Sequence, residues 1–79
     1  MTLTLYSKPG CHLCEDLRAT LDELQPDHAF EIDEIDITAN AELFARYRFV
    51  IPVLLKDGDE VARGRITDRE VLRILTSGV

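Results

Sequence analysis

Both cysteines of this chain lie three positions apart, in the stretch Ser7-Lys8-Pro9-Gly10-Cys11-His12-Leu13-Cys14. Leu3 and Leu5, with the β-leaning Thr2, Thr4 and Tyr6, run into it as a short buried strand that Pro9-Gly10 ends. A helical pattern runs out of it, with Leu13, Leu17, Leu21 and Leu24, joined by Cys14, recurring at spacings of three and four from about His12 to Gln25. Asp16, Arg18, Asp22 and Glu23 supply its wet face, and Pro26-Asp27 stops it. A strand that breaks and re-emerges as a helix puts Cys11 at the helix N-terminus and Cys14 one turn in. Helix neighbours at that spacing have Cα atoms about 5–6 Å apart, within the range that a disulfide accepts. The pair can close and open with little backbone motion, which is the geometry of a redox-active dithiol.

A bridge between such near neighbours closes a very short loop and contributes little to global stability, so it reads as chemistry rather than scaffold. At 79 residues, residues 1–79 are expected to form one domain with a single modest core. The formal charge of −6 repels polyphosphate at long range, which argues against nucleic acid as a partner. The sequence has no apolar run long enough to predict a membrane span, and Met1 to Tyr6 lacks the basic and apolar regions of an export signal. A cytoplasmic location and a monomer are therefore expected, and in that reducing compartment a Cys-X-X-Cys pair is more often catalytic or metal-binding than structural. Structural zinc takes four ligands. Beyond the cysteines only His12, crowded between them, and His28, at the far end of the first helix, are obvious nitrogen donors. No metal site is expected.

Phe30 to Ile37 reads as the next strand, but its alternation slips: Phe30 and Ile32 share one parity, Ile35 and Ile37 the other. A bulge or an early end to the pairing would reconcile them. Asn40, with Thr38 as the alternative, is the expected N-cap of a short helix carrying Leu43, Phe44 and Tyr47. Ile51 to Leu55 is a nearly unbroken apolar run, as expected of a strand covered on both faces. Lys56-Asp57-Gly58-Asp59 signals a tight hairpin, with Glu60 to Arg63 returning antiparallel. Thr67-Asp68-Arg69-Glu70 is a capping box that opens a last helix with Val71, Leu72, Ile74 and Leu75. The order β-α-β-α-β-β-α predicts an α/β fold. A right-handed parallel crossover is followed by an antiparallel hairpin, giving a four-stranded mixed sheet with helices on both faces.

The element order, the stretch from Ser7 to Cys14 and the later Ile51-Pro52 together resemble the thioredoxin-fold superfamily, and glutaredoxins in particular. Lys8, three residues before the first cysteine, matches the glutaredoxin pattern. The Trp that precedes that cysteine in thioredoxins is absent. The chain is most similar to small bacterial glutaredoxin-like proteins with Cys-His-Leu-Cys, an Ile-Pro-Val-Leu strand and a late Gly-Arg, here Gly64-Arg65. It departs from the usual glutaredoxin at two places that hold glutathione. Val50-Ile51-Pro52 stands for Thr-Val-Pro, and Arg63-Gly64-Arg65-Ile66-Thr67-Asp68 stands for a Gly-Gly followed by Asp.

Cys11 is the expected nucleophile. A free thiol titrates near about 8.5, and the N–H groups and partial positive charge of a helix N-terminus make more of it thiolate at neutrality. Lys8 assists and Glu15 and Asp16 oppose. Cys14 is the expected resolving thiol, which expels the substrate from a mixed disulfide on Cys11. Two inert buried cysteines are the plain alternative. His12 either tunes the thiolate or is an exposed first-turn residue; Lys8 either binds a substrate carboxylate or is an ordinary solvated lysine. The resemblance implies that Pro52 is cis and faces the cysteines, with the Ile51 backbone free to pair with an extended substrate; otherwise Pro52 merely starts a strand. Arg48 and Arg65 either edge the groove as anion partners or are plain surface charges, and the resemblance favours Arg65. The expected function is a glutaredoxin-like thiol–disulfide oxidoreductase acting on a protein or small-molecule disulfide, with no bound cofactor and glutathione as reductant or co-substrate. The alternatives are a non-catalytic redox-sensing module, or an iron–sulfur carrier in which two chains share a cluster through Cys11 and glutathione. Cys14 counts against the carrier.

Overall fold

Strict alternation along Thr2–Ser7 buries Leu3, Leu5 and Ser7 on one face and turns Thr2, Thr4 and Tyr6 to the other. In the computed structural model, which describes residues 1–76, this segment is β1. Residues 77–79 of the expected 1–79 unit lie outside the described residues. The chain continues through α1 (His12–Leu24), β2 (Glu31–Asp36), α2 (Ala41–Tyr47), β3 (Val53–Lys56), β4 (Asp59–Arg63) and α3 (Asp68–Thr76), with short 3₁₀ turns at Gln25–Asp27 and Ile37–Ala39. The sheet order is β2-β1-β3-β4. β1 and β2 are parallel across α1, while the β1–β3 and β3–β4 pairs are antiparallel. The expected α/β architecture is the one observed, a thioredoxin-like fold.

One face of the sheet carries the core. Leu3, Leu5 and Leu54 meet Leu17 and Leu21 of α1 and Val71 and Ile74 of α3, with Phe30 closing the cluster. These are the inward positions of the helical spacing read from the sequence, so burial of apolar area explains why α1 and α3 pack here. On the opposite face the Tyr6 and Tyr47 rings lie 5.1 Å apart, which places α2 on that side. No helix among the described residues is long and apolar enough to cross a membrane.

Local chemistry sets the element boundaries. Pairing of β1 with β2 runs without a shift to Ser7 opposite Asp36, and Ile37 is buried in the turn beyond. The slipped alternation therefore reflects an early end rather than a bulge. The irregularity of the sheet lies instead at Leu54/Leu55, where Val61 of β4 is passed over. β3 begins at Val53 rather than Ile51. Asn40 caps α2, its side-chain oxygen accepting from Glu42 and Leu43 N–H, both at 3.0 Å. Thr38 is itself held by Asp36, which accepts from its N–H at 2.9 Å and its hydroxyl at 2.6 Å. Of the α3 capping box, the Thr67 hydroxyl accepts from Glu70 N–H at 3.2 Å, whereas the Glu70 carboxylate faces Arg73 at 3.6 Å. The hairpin turns through Asp57 (φ 49°) and Gly58 (φ 92°), as Asp-Gly permits.

Ser7 opposite Asp36, Tyr6 opposite Val53 and Val53 opposite Arg63 align the strand ends. The ends of β1, β2 and β4 and the start of β3 therefore share one edge of the sheet, and the segments that follow or precede them converge there.

Candidate active site

Cys11 is the N-cap of α1, with extended backbone (φ −89°, ψ 104°), and its sulfur accepts the Cys14 N–H at 3.2 Å. Its own N–H donates to the Lys8 carbonyl at 3.3 Å, closing a turn in which Gly10 takes φ 79°. Its carbonyl accepts the Glu15 N–H at 3.0 Å, the first bond of the helix. Cys11 and Cys14 form a disulfide with Cα atoms 5.2 Å apart. The two sulfurs sit differently: Cys14 is 2% exposed, whereas Cys11 is only half-buried. A helix N-terminus favours negative charge, so the reachable sulfur is also the one best placed to be a thiolate.

A groove of about 440 Å³ adjoins this turn, lined by Lys8, Pro9 and Gly10 on one side and Glu15, Glu34 and Asp36 on the other. Two of its lining residues, Ser7 and Glu34, belong to a hydrogen-bond chain. The Ser7 hydroxyl, on a residue 5% exposed, donates to Glu34 Oε2 at 2.8 Å. Arg18 donates to Glu34 Oε1 at 3.0 Å and to Asp22 at 3.1 Å. This chain ties the end of β1 to β2 and α1, and so fixes both ends of the loop that carries Cys11. The Thr38 hydroxyl, and then its N–H, hold the Asp36 carboxyl below the usual carboxylate range.

The remaining expected site residues fall around this centre. The His12 side chain is 93% exposed, its Nδ1 3.7 Å from Glu15 Oε1. The Ile51–Pro52 bond is cis and Pro52 is buried. Gly64 (φ 74°) donates its N–H to both the Val50 carbonyl (3.1 Å) and the Pro52 carbonyl (2.8 Å). Ile51, between them, makes no backbone hydrogen bond among the described residues. Arg65 lines a second groove, of about 350 Å³, with Leu13, Asp16, Thr20 and Glu23 of α1. The structure thus gathers Lys8, Cys11, His12 and Cys14 in one turn-and-helix unit and brings Ile51, Pro52 and Arg65 to the same sheet edge. Lys8 and Arg65 line separate grooves.

Sequence reasoning missed the Ser7–Glu34–Arg18 chain, although a signal existed. Glu34 shares the parity of Ile32, so alternation puts its carboxylate on the sheet face that α1 covers, within reach of Arg18. The double acceptance from Gly64 had no such signal, because it joins segments far apart in sequence.

A family model described as Glutaredoxin-like domain (DUF836) matches residues 2–76. Among solved structures, the chain is similar to protein Ne2328 of Nitrosomonas europaea, with 31% identity and a TM-score of 0.78 over 95% of this chain and 91% of that one. It is similar also to protein XcR50 of X. campestris, with 26% identity and a TM-score of 0.81 over 98% and 99%. Thioredoxin of Halobacterium salinarum shares the fold, with 21% identity and a TM-score of 0.73 over 96% of this chain and 72% of that one.

Proposed function

The chain belongs to the glutaredoxin-like domain family, and from that premise we propose that it is a thiol–disulfide oxidoreductase. Its fold and its Cys11–Cys14 disulfide support a redox function; the steps below are our reading of how that function is carried out. In the reduced protein the Cys11 thiolate attacks one sulfur of a substrate disulfide. A Cys11–substrate bond forms, the substrate S–S bond breaks, and the first substrate sulfur leaves as a thiolate that takes a proton. Cys14 then loses its proton and attacks Cys11 Sγ. The second substrate thiol departs, leaving the Cys11–Cys14 disulfide. Two electrons have passed from the dithiol to the substrate. Two equivalents of an external thiol then reduce the Cys11–Cys14 bond and leave as their own disulfide, and glutathione is the reductant or co-substrate we assign to this step.

The observation that carries this reading is the asymmetry of the bonded pair. One sulfur is half-buried at a helix N-cap and the other is sealed at 2% exposure beneath it. The half-buried partner captures and the sealed partner releases. Lys8, in the adjoining groove, is the cation for a substrate carboxylate. The unengaged Ile51 N–H and C=O are where an extended substrate would add its backbone. His12 and Arg65 are secondary contacts at the rim.

The test is Cys14→Ser. Incubated with a disulfide-linked peptide, this variant should accumulate a mixed disulfide on Cys11, seen as the added peptide mass and released by dithiothreitol. A folded variant that forms no adduct would overturn the mechanism.

A further inference from the structure

The turn between α2 and β3 carries an aromatic side chain that packing does not account for. Phe49 is 84% exposed, although phenylalanine is among the residues most often buried. The ring is not loose. The Arg48 guanidinium lies 4.5 Å from the Phe49 ring centroid and 5.7 Å from that of Phe44, within cation–π range of both. Arg48 is the C-cap of α2, its N–H donating to the Phe44 carbonyl at 3.0 Å, and Val50 N–H closes the turn on Tyr47 at 2.9 Å. Phe49 is thus held outward by a fastened turn, two residues before Ile51 and at the sheet edge that carries Cys11.

Charge says what the turn is suited to meet. The chain has 15 acidic residues against 9 basic. Even so, among the described residues no carboxylate lies within ion-pair distance of Arg48 or of Arg46, whose guanidinium is 5.9 Å from the Tyr47 ring. Among the described residues no hydrogen bond uses the Arg48 guanidinium N–H groups, and a carboxylate fits their fork.

We propose that Phe49 and Arg48 form the docking surface for a polypeptide partner. Beside its disulfide, the partner lays an apolar side chain on the Phe49 ring and a carboxylate side chain against Arg48. The partner's disulfide rests on the exchange reading above; the two docking contacts do not. Glutathione has carboxylates but, apart from its cysteine, no apolar side chain for the ring, so the platform selects a protein over the tripeptide.

The experiment measures binding to the full chain by fluorescence anisotropy, with labelled peptides whose reactive cysteine is replaced by serine, so that no exchange is needed. One peptide carries Leu and Asp beside that position, a second Leu and Lys, and a third Ser and Asp. The Leu–Asp peptide should bind at least about five-fold tighter than either of the others. Arg48→Gln should abolish the preference for Asp over Lys, and Phe49→Ser the preference for Leu over Ser. Equal binding of the three peptides, or no measurable binding, overturns the proposal. If the preference holds while Cys14→Ser traps nothing, the docking surface stands and the exchange mechanism fails.

Discussion

Where β3 turns into β4, Asp57 and Gly58 close the sheet tightly, and Asp57 exchanges two hydrogen bonds with Thr2. Its N–H donates to the Thr2 carbonyl, and its carboxylate accepts the Thr2 N–H, both at 2.9 Å. At the opposite edge, residues 8–11, 36–38, 51–52 and 64–65 meet from four separate parts of the chain. There the Ile51 backbone and the Arg48 guanidinium are left open, and one sulfur stays reachable. The first edge is stitched by a local turn and by the Thr2–Asp57 pair of hydrogen bonds. The second owes its geometry to the first through a shared core, because Leu3 and Leu5 of β1 run from one edge to the other. Reactive groups can stay unsatisfied at one edge because order is secured at the other.

Four tests probe this contrast, beginning with the largest expected effect. Cys11→Ser should reduce turnover of a disulfide-linked peptide to the uncatalysed rate while leaving amide exchange protection at Asp57–Asp59 unchanged. Altered protection there would show that the two edges are not separable. Leu5→Ala removes a side chain fully buried in the middle of the sheet and should cost about 2–5 kcal/mol, read from urea unfolding of the oxidised protein. It should weaken both edges together. A cost under about 1 kcal/mol would mean that the core does not link them.

Gly64→Ala and Gly58→Ala form a matched pair. Both glycines have positive φ, and an added Cβ meets nothing within 4 Å at either, so the backbone alone sets a cost of about 1 kcal/mol each. Gly64→Ala should also slow exchange, because Gly64 N–H holds the Val50 and Pro52 carbonyls, whereas Gly58→Ala should leave the rate unchanged. Equal rates in the two variants would remove Gly64 from the site.

The smallest effect is one of pH. Thr38 holds the Asp36 carboxyl below its ordinary range in the folded state. A depressed carboxylate stabilises fully above its unfolded pKa, and that contribution is lost as pH falls through the lower folded one. Wild type should therefore lose more stability than Thr38→Val between about pH 5 and about pH 3, compared by urea midpoints. Identical losses would show that the Thr38–Asp36 bonds do not act through the charge.

Much of this was legible from spacing alone. The helical repeat of Leu17 and Leu21, the Asp57-Gly58 turn and the Asn40 cap are local signals, each decided within a few residues, and each element formed where its signal lay. The cysteine spacing likewise fixed the Cα separation before any tertiary contact was considered. What escaped was non-local. Whether Ile51 belonged to β3 depended on where β1 ended opposite it. The Ser7–Glu34–Arg18 chain needs three elements to be placed before its bonds exist, and the exposure of Phe49 follows from how the turn packs on α2 rather than from the residue's own preference.

The near-complete enclosure of Cys14 has a practical corollary for anyone labelling this molecule. After gentle reduction, a bulky maleimide should tag the native protein once and the urea-unfolded protein twice. The stoichiometry of adducts then becomes a gauge of how intact a preparation is.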